Sequence, residues 1–306
     1  MSRFAVNKAV DPDLSQTPAQ GFRRANTARW ILGIAILAVV VVAVVTVIAD
    51  AVAGMRTEHS FSLALRSSPR VIYDPEVTLS GFPFTTHARS GNFGGAVITA
   101  RGVPVPCPPA PGCHAELGAT LGPLQVPDGF HIGPRDVVHT SSVSAYTRLD
   151  SVDLGRFLHI VDLTVNTPAP EGKAGAGGPG DGLLRRSTGV LLSGTVPLPP
   201  LDTASRFPPS ASEYPGPTAQ VSVSVDLSVV GGRLHLAATG FYPGPERHYR
   251  TEVPADLRDY VLRQFTATLP ALPLPWGIAP TGAHSEGSDI LLVGTSGPSD
   301  LMPAQF

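Results

Sequence analysis

Nineteen consecutive residues, Trp30 to Ile48 (WILGIAILAVVVVAVVTVI), carry no charge. At about 1.5 Å of rise per residue, such a run makes a helix long enough to cross a ~30 Å hydrocarbon core. The residues before it include Arg3, Lys8, Arg23, Arg24 and Arg29 against only Asp11 and Asp13. A basic flank of this kind keeps the N-terminus cytoplasmic and sends the chain beyond the run across the membrane. A cleavable signal peptide is the alternative, since Ala51-Val52-Ala53 has the small-x-small form of a cleavage site. The run is longer than the ~7–15 residues of a signal-peptide core and comes after an extended polar tail, which favours a retained signal anchor. No second apolar run of that length occurs, so the reading is single-pass.

Four segments are therefore expected: a disordered cytoplasmic tail at 1–29, a transmembrane anchor at 30–48, an extracytoplasmic (periplasmic) domain at 49–297 and a C-terminal tail at 298–306. The residues after the anchor carry 17 basic and 22 acidic side chains. That balance argues against a nucleic-acid binder, which needs a basic face. Thirty-two prolines and thirty-two glycines make about a fifth of the chain, against the ~12% of average usage. Strands bounded by Pro and Gly turns should thus dominate beyond the anchor, with few long helices.

The periodicity agrees. Val52, Met55, His59 and Leu63 continue at helical spacing towards Pro69, which predicts a juxtamembrane helix ending near Ser67. Val77, Leu79 and Gly81 then alternate with polar residues, as do Val143, Ala145, Thr147 and Leu149. Leu154, Phe157, Leu158 and Val161 predict a short amphipathic helix. Val221 to Val229 alternate strictly with polar residues, and Gly231-Gly232 supplies the turn of a hairpin that returns through RLHLAATG. Leu257, Tyr260, Val261 and Phe265 predict another helix, and DILLVG a last strand.

Catalytic signatures are lacking. Gly175, Gly177 and Gly180 fall in G-x-G-x-x-G register, but Pro179 interrupts them and no strand leads in. Gly294-Thr295-Ser296-Gly297 misses the nucleophile-elbow spacing by one residue. The nine histidines are scattered, and a lone one such as His159 reads as structural. Cys107 and Cys113 enclose CPPAPGC. In an oxidising compartment this reads as a local disulfide, whereas a metal site built on them and His114 lacks a further ligand pair. No cofactor is expected.

Apolar and aromatic residues beside Pro and Gly are the remaining unusual feature: GFPF at 81–84, GF at 129–130, GFYPG at 240–244 and LPLPWGI at 272–278. Each can be ordinary core, but such clusters at strand ends also suit the wall of a cleft for an acyl chain. Phe82 and Phe84 are two residues apart, so on a regular strand both rings share a face. Pro83 places them at an edge. Leu272, Leu274 and Trp276 repeat that spacing, with Ile278 beside them. These six residues are the candidate lipid contacts, on two edges expected to approach each other.

PEVTLSGFPFTTHARSGNFGGAVITARGV (75–103) and RQFTATLPALPLPWGIAPTGAHSEGSDILLVGTSG (263–297) resemble the N- and C-terminal blocks of the actinobacterial LmeA-like phospholipid-binding family. The resemblance spans roughly residues 50–297, strongest at the ends. It implies an α+β, TULIP-like fold: a curved antiparallel sheet packed on a long helix with an apolar groove between them. It also implies a non-enzymatic protein of the cell envelope that binds phospholipid acyl chains, with a role in lipomannan and lipoarabinomannan mannan elongation. An envelope lipoglycan-modifying enzyme is the alternative from another class, marked by carboxylates or a Ser/His pair converging in a polar cleft. A scaffold recruiting envelope glycosyltransferases is a third.

Overall fold

The computed structural model describes residues 20–107, 112–166, 189–199, 208–242 and 252–306. The expected tail up to residue 19, the glycine loop near 175 and the last two residues of GFYPG lie outside them. Helix α1 (Gln20–Arg66) leads to β1 (Glu76–Ser80), helix α2 (Phe84–Ser90), β2 (Asn92–Phe93), β3 (Gly95–Val105) and β4 (Cys113–Leu121). Next come β5 (Leu124–Gln125), β6 (Val138–Thr140), β7 (Val143–Leu149), helix α3 (Ser151–Leu158), β8 (Thr164–Asn166) and β9 (Gly189–Pro197). The long pair β10 (Thr218–Val230) and β11 (Arg233–Phe241) precedes helix α4 (Arg258–Gln264), β12 (Ala267–Thr268), β13 (Gly282–Glu286), β14 (Asp289–Ser296) and β15 (Ser299–Leu301). The chain divides into two compact units, Met1–Ala51 and Val52–Phe306.

The described part of the first unit is helix. It starts at Gln20, ten residues ahead of the apolar run, and the side chains from Trp30 to Ile48 are all exposed. By length and composition this helix is long and apolar enough to cross a membrane.

In the second unit α1 changes character. Gly54, Thr57, Phe61, Ala64 and Leu65 are buried, at the three- and four-residue spacing of one helical face. The helix ends at Arg66, because proline at 69 disfavours helical backbone in the residue before it. All three sheets of this unit are built from antiparallel pairings, and the fold is mixed α+β, as expected.

The six-stranded sheet runs β1-β3-β4-β7-β14-β13. One face is apolar and rich in small residues, with Ala96, Ile98, Ala100, Leu117, Ala119 and Ala145 all buried. Its other face carries charge from strand to strand. Arg101 binds Glu76 at 2.6 Å and Glu116 at 3.2 Å, and Arg148 reaches Glu116 at 3.5 Å and Asp289 at 3.4 Å. Signs thus alternate along β1, β3, β4, β7 and β14, and a bulge at Ala100/Val103 with Gly102 at φ 68° turns Arg101 into line.

The five-stranded sheet runs β12-β11-β10-β9-β8. Gly231 (φ 58°) and Gly232 (φ 74°) make the tight turn between β10 and β11 that an N- or G-rich hairpin loop requires. Every residue from Val190 to Val196 is buried, so β9 is covered on both faces. Its buried hydroxyls are satisfied, Ser193 Oγ lying 2.7 Å from Ser222 Oγ across the ladder to β10 and Thr195 donating to the Asp162 carboxylate at 2.6 Å.

The four-stranded sheet, β15-β6-β5-β2, corrects one expectation. Residues 298–306 are not a tail. Ser299–Leu301 pair with β6, and Phe306 is 1% exposed with its carbonyl accepting from the Ser68 hydroxyl at 2.7 Å. The two helices predicted by spacing are also shorter than expected: His159 turns left-handed (φ 59°) and stops α3 before Val161, while Leu257 falls in a 3-10 turn ahead of α4.

Candidate lipid-binding site

Pro273 and Pro275 remove donors and fix φ, so the chain is extended through Leu274 (φ −105°, ψ 152°) before Pro275–Gly277 turn it in a short 3-10 helix. The segment lies across the apolar face of the six-stranded sheet. Thr147 of β7 donates its hydroxyl to the Pro273 carbonyl. On β14, a side chain at Gly294 would strike the Ala279 carbonyl and approach Leu274 and Ile278 to about 3.0–3.1 Å, so glycine there is what lets the segment pass. Leu272 and Leu274 are buried, and Ile278 is half-buried against Gly294. Trp276 takes a left-handed backbone (φ 53°), donates its indole N–H to the Met302 carbonyl at 3.0 Å and meets the Phe306 ring edge-on at 5.0 Å. Four of the six candidate residues are thus one continuous apolar strip, sealed at its end by Phe306.

The other two behave differently from the expectation. Phe82 and Phe84 do not share a face, because Pro83 ends the extended chain and becomes the N-cap of α2. Phe84, now the first helical residue, is 6% exposed, packs its ring 5.6 Å from Phe93 and rests on the bare backbone of Gly54 in α1. Phe82 is 78% exposed. The two edges do not meet either. The Phe84 cluster sits at Gly54 and the Trp276 cluster at Ser68, about 20 Å apart along a helix rising 1.5 Å per residue. Between them α1 turns Phe61 and Leu65, both fully buried, towards the core.

Phe61, Leu65, Phe93 and Phe306 join the candidate site from the structure. The spacing after the apolar run named Val52, Met55, His59 and Leu63, which the structure leaves exposed, while Phe61 and Leu65 lie on the opposite, buried face of the same helix. Phe306, a single aromatic residue with no period around it, carried no signal.

Two surface clefts are polar. One, of about 630 Å³, lies on the four-stranded sheet, where Asp300, His139, Gln125 and Asn92 stand opposite one another across β15, β6, β5 and β2. His139 Nδ1 lies 2.6 Å from Asp300 Oδ1, with both side chains well exposed. The other, of about 280 Å³, is where the charged row ends, with Glu116, Asp150, Asp153 and Asp289 beside Arg101 and Arg148. Burial pushes the Asp153 and Asp289 carboxyls above the usual range. Asp150 adds to the rise at Asp153, and Arg148 opposes it at Asp289. The convergence of carboxylates that would mark an enzyme is thus present in outline, but here Glu116 and Asp289 are held by arginine and Asp153 by Arg156 at 3.1 Å. Among the described residues no group of three or more His, Cys, Asp or Glu side chains could hold a metal ion. Cys107 and Cys113 are joined in a disulfide, with Cα atoms 5.9 Å apart.

No curated protein and no solved structure gives a significant match to the chain. The model of one protein family, described as LmeA-like phospholipid-binding, matches residues 48–295. That span takes in the buried half of α1, the six-stranded sheet and the 272–278 strip that crosses it, and by it the chain belongs to the LmeA-like phospholipid-binding family.

Proposed function

We propose that this is a single-pass membrane protein, N-terminus cytoplasmic, whose Val52–Phe306 unit binds a phospholipid in the cell envelope without catalysing a reaction on it. The observation that carries the reading is the family match across 48–295, and the exposed apolar helix at Trp30–Ile48 supports the anchor. The acyl chain lies along α1 against the alanine-rich face of the six-stranded sheet, with Leu272, Leu274, Trp276 and Ile278 as one wall and Phe84 at the other end. The separation of the two ends, about 20 Å, is of the order of the ~15 Å of hydrocarbon that one leaflet contributes to a ~30 Å core. Because Phe61 and Leu65 close this space, uptake parts α1 from the sheet. By family analogy the protein supports mannan elongation of lipomannan and lipoarabinomannan, or the lipid balance of the envelope.

Native mass spectrometry of the detergent-solubilised full chain tests the reading. A bound phospholipid, retained or taken up after delipidation, is the expected result, and Trp276→Ser should lower uptake while the far-UV circular dichroism stays native. Protein that neither retains nor takes up phospholipid overturns it.

A further inference from the structure

The second unit leaves its apolar side chains exposed unevenly. Around the turn of α1 that begins at Val52, two loops pack on the helix and on each other. The Phe82-Pro83 turn sits there because Phe84 rests on Gly54. The loop at 128–131 sits there because the Thr57 hydroxyl reaches the Gly129 and Phe130 carbonyls at 3.5 and 3.1 Å, and Gly129 abuts the backbone of Ala88 in α2. Each loop then turns a phenylalanine outwards. Phe82 is 78% and Phe130 44% exposed, with Met55 of the helix at 60%. Neither loop is loose, since the Asp128 carboxylate accepts from Phe130 N–H at 2.8 Å and Gly91 (φ 67°) closes α2 against Val126. Rigidly presented aromatic tips left exposed to this extent mark an interaction surface.

Arg56 and Arg89, both exposed, flank these tips. Of the acidic neighbours, Glu58 is half-buried and accepts from Leu79 N–H at 2.8 Å, while Asp128 stays exposed with one oxygen accepting from Phe130 N–H, so two exposed arginines outnumber one exposed carboxylate. The surface is therefore apolar at its points and basic at its rim, which is the chemistry of an anionic bilayer surface. Chain connectivity supplies the occupant. Met55 comes seven positions after Ile48, the last residue of the apolar run, so this end of the unit cannot stray more than about 25 Å from wherever that run leaves the membrane. We infer that Phe82 and Phe130 insert into the anionic interface of the membrane that holds the anchor, with Arg56 and Arg89 on the lipid headgroups, so that the unit docks by this end. The inference rests on the proposed membrane anchor at Trp30–Ile48.

The test uses the full chain in nanodiscs of phosphatidylglycerol and phosphatidylcholine, with the photo-crosslinking amino acid p-benzoylphenylalanine placed in turn at Val39, Phe82, Phe130, Val152 and Val230. Val39 reports the anchor, and Val152 and Val230 are exposed apolar residues on α3 and at the β10–β11 turn. Lipid adducts at positions 39, 82 and 130, absent at 152 and 230, are expected. Adducts at 82 and 130 should fall when Arg56→Gln and Arg89→Gln are combined, or when phosphatidylcholine is the only lipid. Adducts at 39 without adducts at 82 and 130 overturn the docking and leave the anchor standing. No adduct at 39 overturns both, and equal adducts at all five positions show contact without a preferred face, which also overturns the docking.

Discussion

The two ends of the buried half of α1 solve the same packing problem in opposite ways. At Gly54 the helix omits a side chain, an aromatic ring fills the gap, and the loops that bring it leave Phe82 and Phe130 facing outwards. At Ser68 the chain end closes over the helix: Phe306 is buried, its carbonyl takes the Ser68 hydroxyl, and Trp276 turns its only polar atom onto Met302. One end is finished by the protein itself and the other is unfinished without an apolar partner. The difference teaches that burial alone does not identify a lipid site. The end with its polar groups satisfied is a packed wall of the proposed acyl site, while the end with exposed rings is where we infer contact with the membrane outside the chain.

That contrast can be broken by substitution. Phe306→Ala should have the largest effect, about 3–5 kcal/mol, the usual loss for a fully buried phenylalanine, read from the midpoint and slope of denaturant unfolding. A loss below about 1 kcal/mol would mean that the sealed end is not sealed. Reduction of Cys107–Cys113 lies at neither end and should cost about 2 kcal/mol by loop-closure entropy, with the near-UV spectrum of Trp276 unchanged. Trp276→Phe keeps the ring contact and removes one hydrogen bond, for about 1 kcal/mol in the same titration. Phe82→Ser should alter stability by less than about 0.5 kcal/mol, as for other exposed positions. A larger loss would place Phe82 in the core and abolish the asymmetry.

The smallest effect is electrostatic. Burial raises the folded Asp153 carboxyl above its ordinary value, so the folded state holds this proton more tightly than the unfolded one. Its contribution is fully present below the unfolded carboxylate range and is lost as pH rises through the raised value. Wild type should therefore lose stability relative to Asp153→Asn as pH climbs through that window, and differ by a constant above it. Thermal unfolding of both proteins at a series of pH values checks the slope.

The elements that sequence made legible are those with a local period. The apolar run, the alternation of Val143 to Leu149 and the β10–β11 hairpin with its glycine pair all stand where spacing put them. Pattern failed where a neighbour overrode it. Phe82 and Phe84 have strand spacing, but Pro83 can start a helix as well as end a strand, and only the empty position at Gly54 decides which. Phe306 was illegible because one aromatic residue makes no pattern, and its partners are remote in sequence. The candidate strip at 272–278 was found as a cluster, yet the wall it faces, the alanines of β3, β4 and β7, looked like unremarkable strand filler until pairing placed them on one face.

The alternating row of Glu76, Arg101, Glu116, Arg148 and Asp289 acts as a proofreading device for assembly of the six-stranded sheet. Side chains change faces with every residue of a strand, so a slip by one position would drive a charge into the alanine-lined interior and leave its neighbours on both sides unmatched. Sliding β4 or β7 by a single step therefore breaks two pairings at once. Because three of the five charges are only partly exposed, such an error is penalised more strongly than at a fully solvated surface. The inner face, a run of Ala, Ile and Leu side chains, pairs apolar with apolar in more than one alignment, and it is the charged outer face that tells the strands where to stop.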